Sequence, residues 1–120
     1  MKKLFISCPM CARRVEDIKS TMERMHSIAE AVFSEKLEVI PTYFEGEPPL
    51  LANERLWRLG EAIKKMSEAD YFIGIYDPQK DYNGCLIENY VAKLYNIRRY
   101  LVSIEYIAPD ITERRLKHIV

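Results

Sequence analysis

The chain has 120 residues, 48% hydrophobic and 30% charged, and its 18 basic and 18 acidic residues cancel to a formal net charge of zero. That length supports one ordinary hydrophobic core, so residues 1–120 are expected to form a single domain. A neutral chain offers no electrostatic footing for nucleic acid or a membrane surface, and no apolar run approaches the roughly 20 residues of a membrane span.

Residues 2–7, with Phe5 and Ile6, read as a first strand. Met1-Lys2-Lys3 before Leu4 begins like a signal peptide, but the apolar stretch is too short. Cys8-Pro9-Met10-Cys11 makes a tight connection. Residues 13–33 carry Val15, Ile18, Met22, Met25, Ile28, Ala29 and Val32 at spacings of mostly three or four, which predicts a long amphipathic helix. Residues 37–40 read as a second strand stopped by Pro41, and residues 42–52, with Gly46, Pro48 and Pro49, as a loop. Asn53 is placed to cap a helix whose inner face is Leu56, Leu59, Ile63 and Met66.

The run Tyr71 to Tyr76 is apolar without alternation, as suits a short strand buried on both faces. A polar loop containing Pro78 and Gly84 follows, then a helical pattern over residues 84–96 and a fourth strand over residues 99–104. After a break at residues 107–109, Asp110 or Thr112 could cap a terminal helix containing Leu116 and Ile119.

Strands alternating with helices imply parallel pairing through right-handed crossovers. The fold class is therefore α/β: a small doubly wound parallel sheet, strand order 2-1-3-4, with helices on both faces, a flavodoxin-like or Rossmann-like arrangement. Strands one and three are adjacent at the switch point, where ligands bind in such sheets. Their trailing loops, residues 7–12 and 77–84, should form one crevice.

Glu88 is expected in the first turn of the third helix, where unpaired N–H groups and the helix dipole favour an ionised carboxylate. From spacing alone such a residue is more often a cap contributor than a nucleophile. Asp81 is the loop acid best placed to assist it, Tyr82 falls in the crevice, Asp77 should shape the turn before Pro78, and Asp70 reads as a strand-end residue. The scattered arginines, Arg13-Arg14 and Arg114-Arg115 among them, read mostly as solvated surface. Cys8 and Cys11 form a C-x-x-C between strand and helix, the placement of a redox-active thiol pair, and Ile40-Pro41-Thr42 looks like the proline turn facing such a pair. The helix and strand that follow that proline, in place of an antiparallel hairpin, favour a structural role. An odd count of three cysteines argues for a reducing cytoplasm. His26, His118 and Cys85 show no metal-ligand spacing, and no glycine-rich phosphate loop occurs. Neither a metal nor a cofactor is expected.

Leu4-Phe5-Ile6-Ser7-Cys8-Pro9-Met10 resembles the first-strand signature of nucleoside 2-deoxyribosyltransferase-like proteins, an apolar run followed by Ser-x-Pro-Met. The strand opening at Ala69-Asp70, with Gly84-Cys85-Leu86-Ile87-Glu88 behind it, resembles their second signature, in which a Gly-x-x-x-Glu starts a helix. The likeness covers most of residues 2–104 and is nearest to the small phage and bacterial members. It implies that Glu88 attacks the anomeric carbon of a deoxyribosyl group, forming a glycosyl-enzyme that water or a second base resolves. It also implies a pocket bordered by Ser7, Cys8, Pro9 and Met10 on one side and by Asp77, Asn83 and Gly84 on the other, with Asp81 and Tyr82 beside the chemistry. The chain departs from the pattern at Tyr82 and Ala62, where the transferases carry Asp, and at Cys8, where they carry Gly. The expected partner is a small-molecule nucleoside or nucleotide, with no nucleic acid or membrane. A homodimer or larger assembly is expected from the resemblance and from apolar residues such as Trp57, Tyr90 and Tyr95. The rival readings are a non-catalytic nucleotide-binding protein of the same fold and a thiol-disulfide oxidoreductase using Cys8 and Cys11.

Overall fold

The structure is a computed structural model that describes residues 1–42 and 46–119, with side chains as far as residue 117. The elements in order are β1 (Lys2–Ile6), α1 (Val15–Phe33), β2 (Leu37–Val39), α2 (Glu54–Met66), β3 (Tyr71–Tyr76), α3 (Asn83–Leu94), β4 (Arg98–Ser103), a 3-10 turn (Ile104–Tyr106) and α4 (Pro109–Ile119). The four strands pair in the order β2-β1-β3-β4, every pair parallel. This is the predicted doubly wound order, with β1 and β3 side by side. The expected loop over residues 42–52 lies partly outside the described residues, at 43–45.

The registers pair Leu4 with Tyr71 and Ile6 with Ile73, so these residues share one face. They pack with Met25, Ala29 and Phe33 of α1, and with Val102, Ile107 and Ala108. Phe5 and Phe72 point the other way, against Ala62 and Met66 of α2 and Ala92 of α3. Their rings stack at 5.7 Å. The unalternated run of β3 thus reflects its burial between two helical layers. Each fully buried Phe, Leu or Ile here contributes about 1.5–3 kcal/mol relative to exposure. Gly74 is required on the Phe72 face: a Cβ there would lie 2.8 Å from Phe72 Cε1 and 2.9 Å from Leu101 Cδ2.

Several boundaries move for local reasons. Helix α1 starts at Val15, after extended Arg14 and three residues past Ala12, whose positive φ of 57° turns the chain. It ends at Ser34, whose left-handed φ of 57° lets its N–H bond to Glu30 O. Asn53 caps α2 as expected, Oδ1 accepting from Leu56 N–H at 3.0 Å. Leu56, expected on the inner face, is instead 64% exposed, and Ala62 and Met66 fill that face. Helix α4 starts at Pro109, a residue suited to a first helical position because its missing N–H is not needed there. Asp70 behaves as a strand-end residue, its Oδ2 accepting from Lys3 N–H at 2.8 Å.

The outer edge of β2 is covered from α1. Glu30 Oε2 accepts from Leu37 N–H at 2.8 Å, and His26 Nε2 donates to Leu37 O at 2.9 Å.

Candidate functional site

The carboxyl ends of β1 and β3 bring Ser7 and Glu88 together. Ser7 prolongs the ladder one residue past β1, its N–H bonding Ile73 O at 2.9 Å. By strand alternation its side chain then shares the face of Phe5, toward α3. Ser7 Oγ donates to Glu88 Oε1 at 2.7 Å. Ser7 is only 2% exposed, while Glu88 is half-buried.

Glu88 departs from expectation in position and in charge. Helix α3 begins at Asn83, which makes Glu88 its sixth residue, in the second turn. The dipole and free N–H groups of the first turn no longer hold it ionised, because their effect fades beyond that turn. Burial dominates instead and pushes the carboxyl up to about 7, while the Ser7 bond pulls in the other direction. Two thiols share this environment. Burial pushes Cys8 up to about 12, and Cys85, which lies near Ser7 and Glu88, likewise to about 12.

The thiol pair at the turn is split. Cys8 is buried, whereas Cys11 is exposed and accepts a contact from Arg55 Nη2 at 3.3 Å. A thiol raised this far, as Cys8 is, is protonated at neutral pH and is a weak nucleophile.

The opposite loop is organised by α4. Asp77 Oδ1 accepts from Gln79 N–H at 3.0 Å, forming the expected turn. The same carboxylate takes a bidentate grip from Arg115, with Nη1 at 3.1 Å from Oδ1 and Nη2 on Oδ2. Arg115 Nη2 also donates to Tyr82 Oη at 3.2 Å. The Asp77 side chain is 1% exposed. Its burial would raise its pKa, but the Arg115 and Gln79 hydrogen bonds outweigh that and hold it below the ordinary aspartate range. Burial raises the Tyr82 phenol. Among the other sequence-derived site residues, Asp81, Asn83 and Gly84 are exposed on the rim, Pro9 is buried, and Met10 packs against the α1-side core.

Two charged groups that sequence reasoning assigned to solvent or to a cap are structural partners. The Arg13 side chain is 1% exposed and bonds both oxygens of Asp110, at 2.9 and 2.8 Å. It also donates to Pro9 O at 2.7 Å and to Thr21 Oγ1 at 2.7 Å. Thr21 Oγ1 in turn donates to Ile107 O at 2.7 Å. Asp110, expected as a possible helix cap, is held ionised chiefly by Arg13. The pairing has no local sequence signal, since Arg13 and Asp110 are 97 residues apart.

A groove of about 240 Å³ lined by Ile6, Met22, His26 and Val39 lies on the α1 face of the sheet, away from the Ser7–Glu88 contact on the α3 face. Among the described residues no group of His, Cys, Asp and Glu is arranged to hold a metal ion, and no helix is long and apolar enough to cross a membrane. The carboxyl ends of β1 and β3 therefore present one half-buried carboxyl group poised near neutrality, one buried hydroxyl bound to it, and a β3–α3 loop pinned by α4. Such a carboxyl can act as a nucleophile when ionised or deliver a proton when not. No family model, curated protein or solved structure matches this chain.

Proposed function

We propose that the protein cleaves or transfers the N-glycosidic bond of a deoxynucleoside or deoxynucleotide, with Glu88 as the nucleophile. The observation that carries this reading is the 2.7 Å bond between Ser7 and Glu88 at the switch point between β1 and β3. It engages one carboxylate oxygen and leaves Oε2 to react. In the proposed step, Oε2 bonds to the anomeric carbon as the carbon–nitrogen bond breaks. The base leaves with that electron pair and takes up a proton. Water or a second base then attacks the same carbon and releases the carboxylate. The likeness of Ser7-Cys8-Pro9-Met10 and Gly84-Cys85-Leu86-Ile87-Glu88 to the nucleoside 2-deoxyribosyltransferase-like signatures supports it.

Desolvation makes the ionised carboxylate a stronger nucleophile but leaves it only about half ionised near pH 7. Under this reading, base release should rise with pH through that value. The second reading, a binding protein in which a protonated Glu88 donates to a sugar hydroxyl, draws on the same raised carboxyl and on Tyr82, whose hydroxyl is engaged by Arg115.

The test is a panel of deoxynucleosides and deoxynucleotides scored for free base and for binding. The wild type should release base, Glu88→Gln should bind without releasing it, and a 2-fluoro-deoxyribosyl adduct should map to Glu88. Binding without base release by the wild type would establish the second reading.

A further inference from the structure

Helix α4 reaches both walls of the crevice. Near its start, Asp110 grips Arg13, and Arg13 in turn holds the Pro9 carbonyl of the β1–α1 loop. One and a half turns later, Arg115 grips Asp77 and Tyr82 of the β3–α3 loop. Both ion pairs are bidentate, and in each the loop side chain is almost fully buried, 1% exposed for Arg13 and for Asp77. The polarity alternates: the helix supplies the anion at one end and the cation at the other. A fork-to-carboxylate pair fixes orientation as well as distance. Tyr82 is also the residue immediately before α3, so a grip on its hydroxyl sets where that helix begins. Glu88 lies six residues further along the same rigid element.

We propose that α4 is a two-point clamp on the two loops and that Arg115 is a positioning residue, which acts through Asp77 and Tyr82 to seat α3 so that half-buried Glu88 meets Ser7. Arg115 does not touch Glu88. The groups placed around Glu88 are Ser7 and Cys8 from the end of β1 and Cys85 from α3 itself. The inference rests on Glu88 being the working group of the crevice, as the proposed function has it, but it holds for catalysis and for binding alike.

The experiment therefore reads Glu88 directly, without turnover. In the full-length chain, the side-chain carboxyl of Glu88 is titrated by carbon-13 NMR, and amide hydrogen exchange is followed over residues 77–88. Arg115→Met, which keeps the aliphatic stem, should lower the Glu88 midpoint by about one unit or more as the crevice hydrates, and should speed exchange across the loop. Arg115→Lys, which keeps the charge but not the fork, should fall between Arg115→Met and the wild type. Lys117→Met, an exposed change on the same helix, should leave the Glu88 midpoint and the loop exchange as in the wild type. Tyr82→Phe removes one contact of the clamp and leaves the buried ion pair intact. It serves if Arg115→Met does not fold, and it should shift the midpoint in the same direction by a smaller amount. If the variants melt earlier but the Glu88 midpoint and loop exchange stay at wild-type values, Arg115 only stabilises the fold and the proposal is overturned. Because none of these readouts needs a substrate, failure of the deoxynucleoside panel would leave this test intact.

Discussion

Ser7 and Glu88 are 81 residues apart in sequence and 2.7 Å apart in space, the hydroxyl at the end of the first strand donating to a carboxyl in the second turn of the third helix. The bond favours the ionised form of Glu88, against the burial that favours the neutral form. Ser7→Ala removes only the first influence. The Glu88 midpoint should then rise further above 7, read by carbon-13 titration of its side chain. A midpoint unchanged or lowered in Ser7→Ala would show that the bond does not govern the carboxyl.

Glu88 should also leave a mark on stability. Its folded pKa is raised from 4.5 to about 7, so the folded state binds the extra proton between those values. Stability from this group is fully present below about pH 4.5 and is lost as pH rises through about 7. At alkaline pH the buried charge costs on the order of 2–3 kcal/mol. Glu88→Gln should therefore gain stability relative to wild type as pH rises from 4 to 9, by roughly that amount. Urea unfolding at several pH values measures it, and a difference that stays flat across the range contradicts the burial argument.

Gly74→Ala should destabilise the chain by about 1–3 kcal/mol, the usual cost of overpacking a full core. The new methyl would press on Phe72 and Leu101, and Phe72 has little room to yield because its ring stacks on Phe5. Thermal unfolding should show the loss, and Phe72→Leu in the same background should recover part of it.

The three thiols should separate by accessibility. Exposed Cys11 should alkylate readily at pH 8, buried Cys8 should label only when the chain is unfolded, and half-buried Cys85, its thiol raised to about 12, should fall between them. Mass spectrometry of brief iodoacetamide labelling distinguishes them. Rapid labelling of Cys8 would revive the redox reading.

Helix α3 turns an apolar stripe outward. Leu86, Tyr90 and Leu94 are 54%, 60% and 57% exposed at four-residue spacing, and the pattern reads the same in both directions about Tyr90. An antiparallel second copy would set Leu86 against its partner's Leu94, the self-complementary arrangement of a two-fold interface. The chain is expected to sediment as a dimer at micromolar concentration, and Tyr90→Asp to sediment as 14.1 kDa monomers. A wild type that is already monomeric would end this expectation.

The layout of the sheet was legible because burial on both faces writes a short unbroken apolar run, and β3 shows it plainly. The meeting of Ser7 with α3 follows from that topology: once β1 and β3 are neighbours, the end of β1 and the helix after β3 must converge. The state of Glu88 was not legible, because it depends on how much water reaches it, and no spacing encodes that. Nor were Arg13 and Arg115. An arginine bound for a buried carboxylate looks in sequence like one bound for solvent, and its partner lies tens of residues away. Exposed Leu56 shows the converse limit, since helical periodicity marks an apolar face but not whether a neighbour covers it.

The two edges of the sheet differ in how open they are to another strand. At β2 the outward N–H and C=O of Leu37 are already engaged by Glu30 and His26, and the strand is three residues long. An incoming extended peptide would have to displace both side chains to pair there. The other edge, β4, is six residues long and carries two adjacent arginines, Arg98 and Arg99, at its start. Any sheet extension between chains should therefore begin at β4, where positive charge disfavours like-on-like addition. The short strand capped by α1 and the charged strand guard opposite sides of the sheet by different means.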